Sequence, residues 1–149
     1  MVLLKNKFRI TALAIVLGFI LTRVLALKVA GSFWFDEAFS VYFSQNSLSD
    51  MWQFLQFEHN PLVHFLSLHF WIKLFGASEI ATRSLSLVAG LGSLGMIYAL
   101  ASKLFSKTAG LWAMFFMTIS SFFLYHQTEA RMYSLLTLFA LLTMYSYWN

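Results

Sequence analysis

The chain has no cysteine, one proline and little charge. Without cysteine it is no disulfide-stapled secreted scaffold, and no disulfide holds any of its loops. Charged residues make up only 11% of it, whereas soluble domains carry about 25%. That scarcity excludes a disordered chain, which would be polar and charged, and argues equally against a soluble enzyme. Also missing are a phosphate-binding glycine loop, a nucleophile elbow, zinc-finger spacing and a GxGxxG turn.

What is present is apolar. Of the 149 residues, 60% are hydrophobic and 19% aromatic, and the mean hydropathy is +0.72. A single-core globule of this size leaves much of its surface in water and cannot hide so much apolar area. The reading is an all-α polytopic membrane helix bundle. Its net charge is +4. The ten basic residues are spread along the chain, so the positive-inside bias of membrane proteins accounts for them better than nucleic-acid binding does.

A span needs about 20 apolar residues. On that measure four spans are expected, over about 8–30, 80–104, 108–125 and 132–148, with an outer loop over 31–78. The first is an uncleaved helix rather than a signal peptide, being long and interrupted by Arg23. Arg23 is expected to snorkel outward and receives no catalytic role. Within the outer loop, Asp36–Gln45 reads as a short helix. Ser47-x-x-Asp50 resembles a capping box for a second one, and Asn60-Pro61 opens a third that ends at Gly76. That third helix, about 15 residues with His64, His69 and Lys73, is short for a span and is read as interfacial. Ser78 suits the N-cap of the second span, where Ser86/Gly90 and Ala89/Ser93 form a small-residue face for close helix approach. With 61–75 outside the bilayer, Lys5, Lys7, Arg9, Lys103 and Lys107 lie inside, and all six acids and four histidines lie outside. The alternative, a crossing by 61–75, satisfies the positive-inside rule less well.

Three clusters carry chemistry. Phe33-Trp34-Phe35-Asp36-Glu37 stands where the first helix leaves the membrane. A carboxylate beside three aromatics at a low-dielectric boundary is expected to have a raised pKa and to serve as a base; an aromatic anchor followed by an acidic helix start is the plainer reading. Glu58-His59-Asn60-Pro61 offers one or two metal ligands, fewer than a site needs. His64 and His69, five apart, do not share a helix face and read as ordinary interfacial histidines. Glu129-Ala130-Arg131, with Tyr125, His126 and Tyr133, joins the third and fourth spans. An arginine at membrane level suits a phosphate; its alternative is a pair with Glu129 tying a turn. Arg83 carries the same anion argument, with Glu79 as its alternative partner.

Taken in order, FWFDEAFS, HNPLVHF, FGASEIATRSLS, YALASKLF and HQTEARMYSL resemble the amino-terminal part of the polytopic glycosyltransferases of the C-type fold (GT-C). The likeness is to those that use polyprenyl-phosphate sugars, close to the protein O-mannosyltransferases and the bacterial family 39/83 enzymes. The resemblance implies sugar transfer from a lipid-linked donor to a protein, lipid or glycan hydroxyl at the outer face of a bacterial plasma membrane. It implies Asp36 as base with Glu37 beside it, and Arg83, Arg131, Glu129 and His59 around the donor phosphate. A divalent metal near His59 belongs to the same expectation. One departure stands out: such members carry an aspartate soon after the last arginine, where this chain has Met132, Tyr133 and Ser134. Members are also much longer, so the chain reads as a fragment. A transporter or flippase fragment and a non-catalytic assembly subunit are the rival expectations.

Overall fold

The computed structural model describes residues 2–55 and 61–148. Eight helices follow one another among the described residues, with no strand: α1 (Val2–Val29), α2 (Phe35–Gln45), α3 (Leu48–Leu55), α4 (Leu62–Phe75), α5 (Glu79–Leu104), α6 (Lys107–Ile119), α7 (Ser121–His126) and α8 (Tyr133–Tyr147). This is the all-helical membrane architecture expected from the composition.

Local chemistry sets most helix ends. Ser47 and Asp50 close the capping box that opens α3: the hydroxyl donates to Asp50 Oδ2 at 2.7 Å and accepts from the Asp50 N–H at 3.2 Å. Ser78 accepts from Ala81 N–H to start α5, and Ser106 from Ala109 N–H to start α6. Gly76, at φ 86°, ends α4 in a conformation that a side chain would strain.

Among the described residues, two helices are long and apolar enough to cross a membrane, over Lys7–Val29 and Glu79–Leu104; Leu62–Phe75 and Tyr133–Tyr147 are shorter apolar helices. The stretch expected as one span over 108–125 is divided. Ser120 is extended (φ −67°, ψ 116°), ends α6, and accepts from Phe123 N–H to start α7. The serine hydroxyl competes with the helix for backbone donors, so α7 begins afresh at that point.

α5 is the axis of the fold. It packs against α6 and α8 along its length and against α1 and α4 as well. Thr82, Ser86, Ala89, Gly90 and Ser93 are all buried, so the small-residue face is the packing face. One core joins Phe19, Leu94, Met114 and Phe123, with Phe19 and Phe123 stacked at 5.7 Å. A second, around Val41, Leu68, Leu85 and Ala130, ties α2, α4 and α5 to the loop before α8. On α1, by contrast, Ile10, Leu13, Leu17 and Leu21 stay exposed, an apolar surface suited to lipid.

The closest helix approach is at Gly110 of α6, where an added Cβ would run into Ser102 Oγ and the Tyr98 carbonyl of α5. Because the obstacle includes backbone, Gly110→Val is expected to destabilise the bundle by about 1–3 kcal/mol. Gly95→Ala meets nothing and should be neutral or slightly stabilising. Thermal unfolding of the two purified variants in detergent checks the contrast.

Candidate functional site

The site assembles where α1 ends. Gly31, at φ 66°, turns the chain out of α1 and brings two successive carbonyls, Gly31 and Ser32, toward α5. α2 then starts with Asp36 and Glu37 in its first turn, where the N-terminal dipole favours negative charge. Adjacent positions on a helix point about 100° apart, at 3.6 residues per turn. Glu37 faces inward and is 1% exposed, while the Asp36 side chain sits at the rim, 41% exposed.

Glu37 meets Arg83 of α5 in a bidentate pair. Arg83 Nε donates to Oε1 at 2.9 Å and Nη2 to Oε2 at 2.7 Å. Nη1 also donates to Gly31 O at 2.8 Å, Nη2 to Ser32 O at 3.3 Å, and the guanidinium lies 5.5 Å from the Phe33 ring centre. With these contacts satisfied and 3% exposure, Arg83 is spent on holding α1, α2 and α5 together. Its partner is Glu37 across the fold, in place of the nearby Glu79. Glu37 Oε1 accepts one bond more, from the Ala130 N–H at 2.8 Å. One carboxylate therefore clamps three segments.

The joint before α8 is pinned from its other sides. Ser86 donates to Glu129 O at 2.5 Å and Ser134 to His126 O at 2.7 Å; His126 Nδ1 lies 3.1 Å from Glu129 Oε2. Glu129 thus turns to His126 and does not pair with Arg131. Arg131 instead reaches across to α2, with Nη1 3.1 Å from Asp36 Oδ2. Five of the residues expected from sequence (Asp36, Glu37, Arg83, Glu129 and Arg131) therefore meet at one end of the bundle. The sixth, His59, lies outside the described residues, as does Glu58.

Arg23, given no catalytic role, donates from its Nη1 to the Leu124 carbonyl of α7 at 2.8 Å. His64 is no ordinary interfacial histidine. It is 4% exposed, and apart from the neighbouring Ala130 backbone its ring nitrogens have no hydrogen-bond partner. Burial and the facing Arg131 charge push its pKa down to about 4. No sequence signal marked it, because burial depends on how α4 docks. Among the described residues, no three His, Asp or Glu side chains converge as metal ligands.

A family model, dolichyl-phosphate-mannose-protein mannosyltransferase, matches residues 59–148. The chain belongs to this family. No curated protein and no solved structure matches it. Membership makes it a membrane glycosyltransferase relative of the mannosyltransferase kind, GT-C in type. The matched stretch contains Arg83, Glu129 and Arg131 but not α2. The Glu37–Arg83 and Asp36–Arg131 contacts join the FWFDEAFS segment to it in space.

Removing one member of a buried ion pair strands the other, at a cost of about 3–5 kcal/mol. Glu37→Gln is thus expected to lower the thermal midpoint sharply, whereas Asp36→Asn at the rim changes it by little. His64 gives a pH signature. Its folded pKa lies below the usual 6.5, so the unfolded state takes up the proton first as pH falls. Stability is complete above about pH 6.5 and is lost toward pH 4, by about 2 kcal/mol from pH 7 to pH 5. Chemical denaturation across that range should show the loss in the wild type and lack it in His64→Phe.

Proposed function

We propose that the chain carries the catalytic end of a glycosyltransferase that moves a sugar from a polyprenyl phosphate to an acceptor hydroxyl. The topology that goes with this reading has the N-terminus in the cytoplasm and α1, α5, α6–α7 and α8 in the bilayer. α2 to α4 then lie at the outer interface, and all the acids share the outer face. An isoprenoid tail can stay in lipid while its phosphate reaches the membrane boundary.

The observation that carries the reading is the rim pair of Asp36 and Arg131, 3.1 Å apart and resting on the buried Glu37–Arg83 pair. Sugar transfer needs both members. The acceptor oxygen attacks the anomeric carbon and Asp36 takes its proton; the bond from that carbon to the phosphate oxygen breaks and its electrons leave with the lipid phosphate. The guanidinium of Arg131 matches the departing phosphate in charge and in planar geometry. Asp36 is 41% exposed and Arg131 14%, so water weakens the pair on the Asp36 side, and a phosphate that takes Arg131 frees the base as the donor arrives. Glu37 and Arg83 act as positioning residues, and Glu129 with His126 steadies the joint that carries Arg131. The acceptor is a protein hydroxyl in the family's namesake reaction, with lipid and glycan hydroxyls as the other candidates. His59 is a further donor-side candidate. A divalent metal there would need ligands beyond the described residues.

A transport path would spread charge through the bilayer, and an assembly subunit would need no exposed base. The clustering of Asp36, Glu129 and Arg131 at one end favours catalysis over both. Asp36→Asn should abolish transfer of radiolabelled sugar from a polyprenyl-phosphate donor, by about 100-fold or more, with insertion and folding retained. Arg131→Ala should chiefly raise the donor KM. Normal turnover in Asp36→Asn would sink the assignment.

A further inference from the structure

His64 stands on the first turn of α4, its ring buried against Phe65, 5.6 Å between centres. The Ala130 backbone and the Arg131 guanidinium face it from the joint. Apart from that backbone group, neither buried ring nitrogen has a partner. A polar ring kept in that state costs stability that a phenylalanine would not, and native proteins keep few such groups. His69, five residues on, is tied on one side: its Nδ1 lies 2.8 Å from Ser44 O, joining α4 to α2, while its Nε2 has no partner. His64 makes no such tie. The ring instead faces the Arg131 guanidinium, whose partner Asp36 is at the rim, while Arg83 is locked inside by Glu37.

We propose that His64 is a ligand-binding residue of this site: when a phosphoryl group takes Arg131, the neutral imidazole donates its N–H to one of the phosphoryl oxygens. The inference rests on Arg131 being the phosphate partner. An arriving anion cancels the positive charge that faces the ring and supplies a charged acceptor, stronger than the Ala130 backbone. Arg131 shifts from Asp36 to the anion, uncovering the base and the imidazole together. The same contact serves a lipid monophosphate and a free phosphate, because it is made to the phosphoryl group.

The test measures affinity for a polyprenyl phosphate and for inorganic phosphate on the chain in nanodiscs, by ligand-induced thermal shift. Wild type is compared with His64→Phe, His64→Gln and Arg131→Ala. His64→Phe should melt at or above the wild-type temperature without ligand, yet bind both probes about tenfold more weakly, the worth of one hydrogen bond. His64→Gln, which keeps an N–H donor, should lose less. Unchanged affinity in both His64 variants with a lowered melting temperature makes His64 a structural residue and overturns the proposal. A loss confined to the lipid would put the ring on the isoprenoid chain and overturn it too. If Arg131→Ala also binds as the wild type does, the phosphate reading of the site falls along with the proposal. If Arg131→Ala alone loses binding, only the role of His64 falls. Should His64→Phe not fold, His64→Leu, which likewise lacks a donor, decides by the same comparison.

Discussion

The structure turns on one buried carboxylate. Glu37 is almost fully enclosed, yet its two oxygens accept from Arg83 of α5 and from the Ala130 backbone of the joint before α8. Taking a carboxylate and a guanidinium out of water is costly, and only near-complete hydrogen bonding offsets it. The surroundings meet that condition. Gly31 permits the left-handed turn that brings two carbonyls to Arg83, and the joint gives up an N–H to Glu37. An apolar pair at these positions would spare that desolvation but leave the Ala130 N–H and the Gly31 and Ser32 carbonyls without these partners. Retaining the charged pair has a structural consequence instead: α2, the end of α1, α5 and the joint can meet in one register only.

That register is what sets Asp36 beside Arg131. Neither residue is held firmly on its own, for their pair is partly exposed and weak. Rigidity comes from the residues next to them in sequence, Glu37 next to Asp36 and Ala130 next to Arg131, which share a hydrogen bond. A rim that exchanges partners easily thus sits on a foundation that does not. Such a division suits the proposed transfer, in which a base is released when a lipid phosphate arrives.

Much of this was legible in the sequence, and the limits have physical causes. Caps at Ser47 and Ser78 are local, set by a side chain and a backbone three residues on, so motif reading finds them. The small-residue face of α5 is equally local in its four-residue spacing, and the packing uses it. Glu37 with Arg83 is not local: 46 residues separate the partners, and Glu79, a turn away, offered the nearer match. Pairing of buried charge is decided by which surfaces dock. The break at Ser120 carried a signal in its serine hydroxyl, outweighed by the apolar run around it. His64 had none, since an idle buried imidazole is a property of the docked α4 and not of its composition. The family match, which begins after α2, carries the glycosyltransferase relationship but leaves the Asp36 segment to be joined by geometry alone.

The central claim is that Glu37 holds α2 to the segment that carries Arg131 and leads into α8. Spin labels at two exposed positions away from the site, Tyr42 on α2 and Leu136 on α8, report that docking as a distance distribution by pulsed electron resonance in nanodiscs. A single narrow distribution that broadens and lengthens in Glu37→Gln is the expected result. A distribution that stays narrow and unshifted in Glu37→Gln would contradict it, because α2 would then be held in place by something other than this carboxylate.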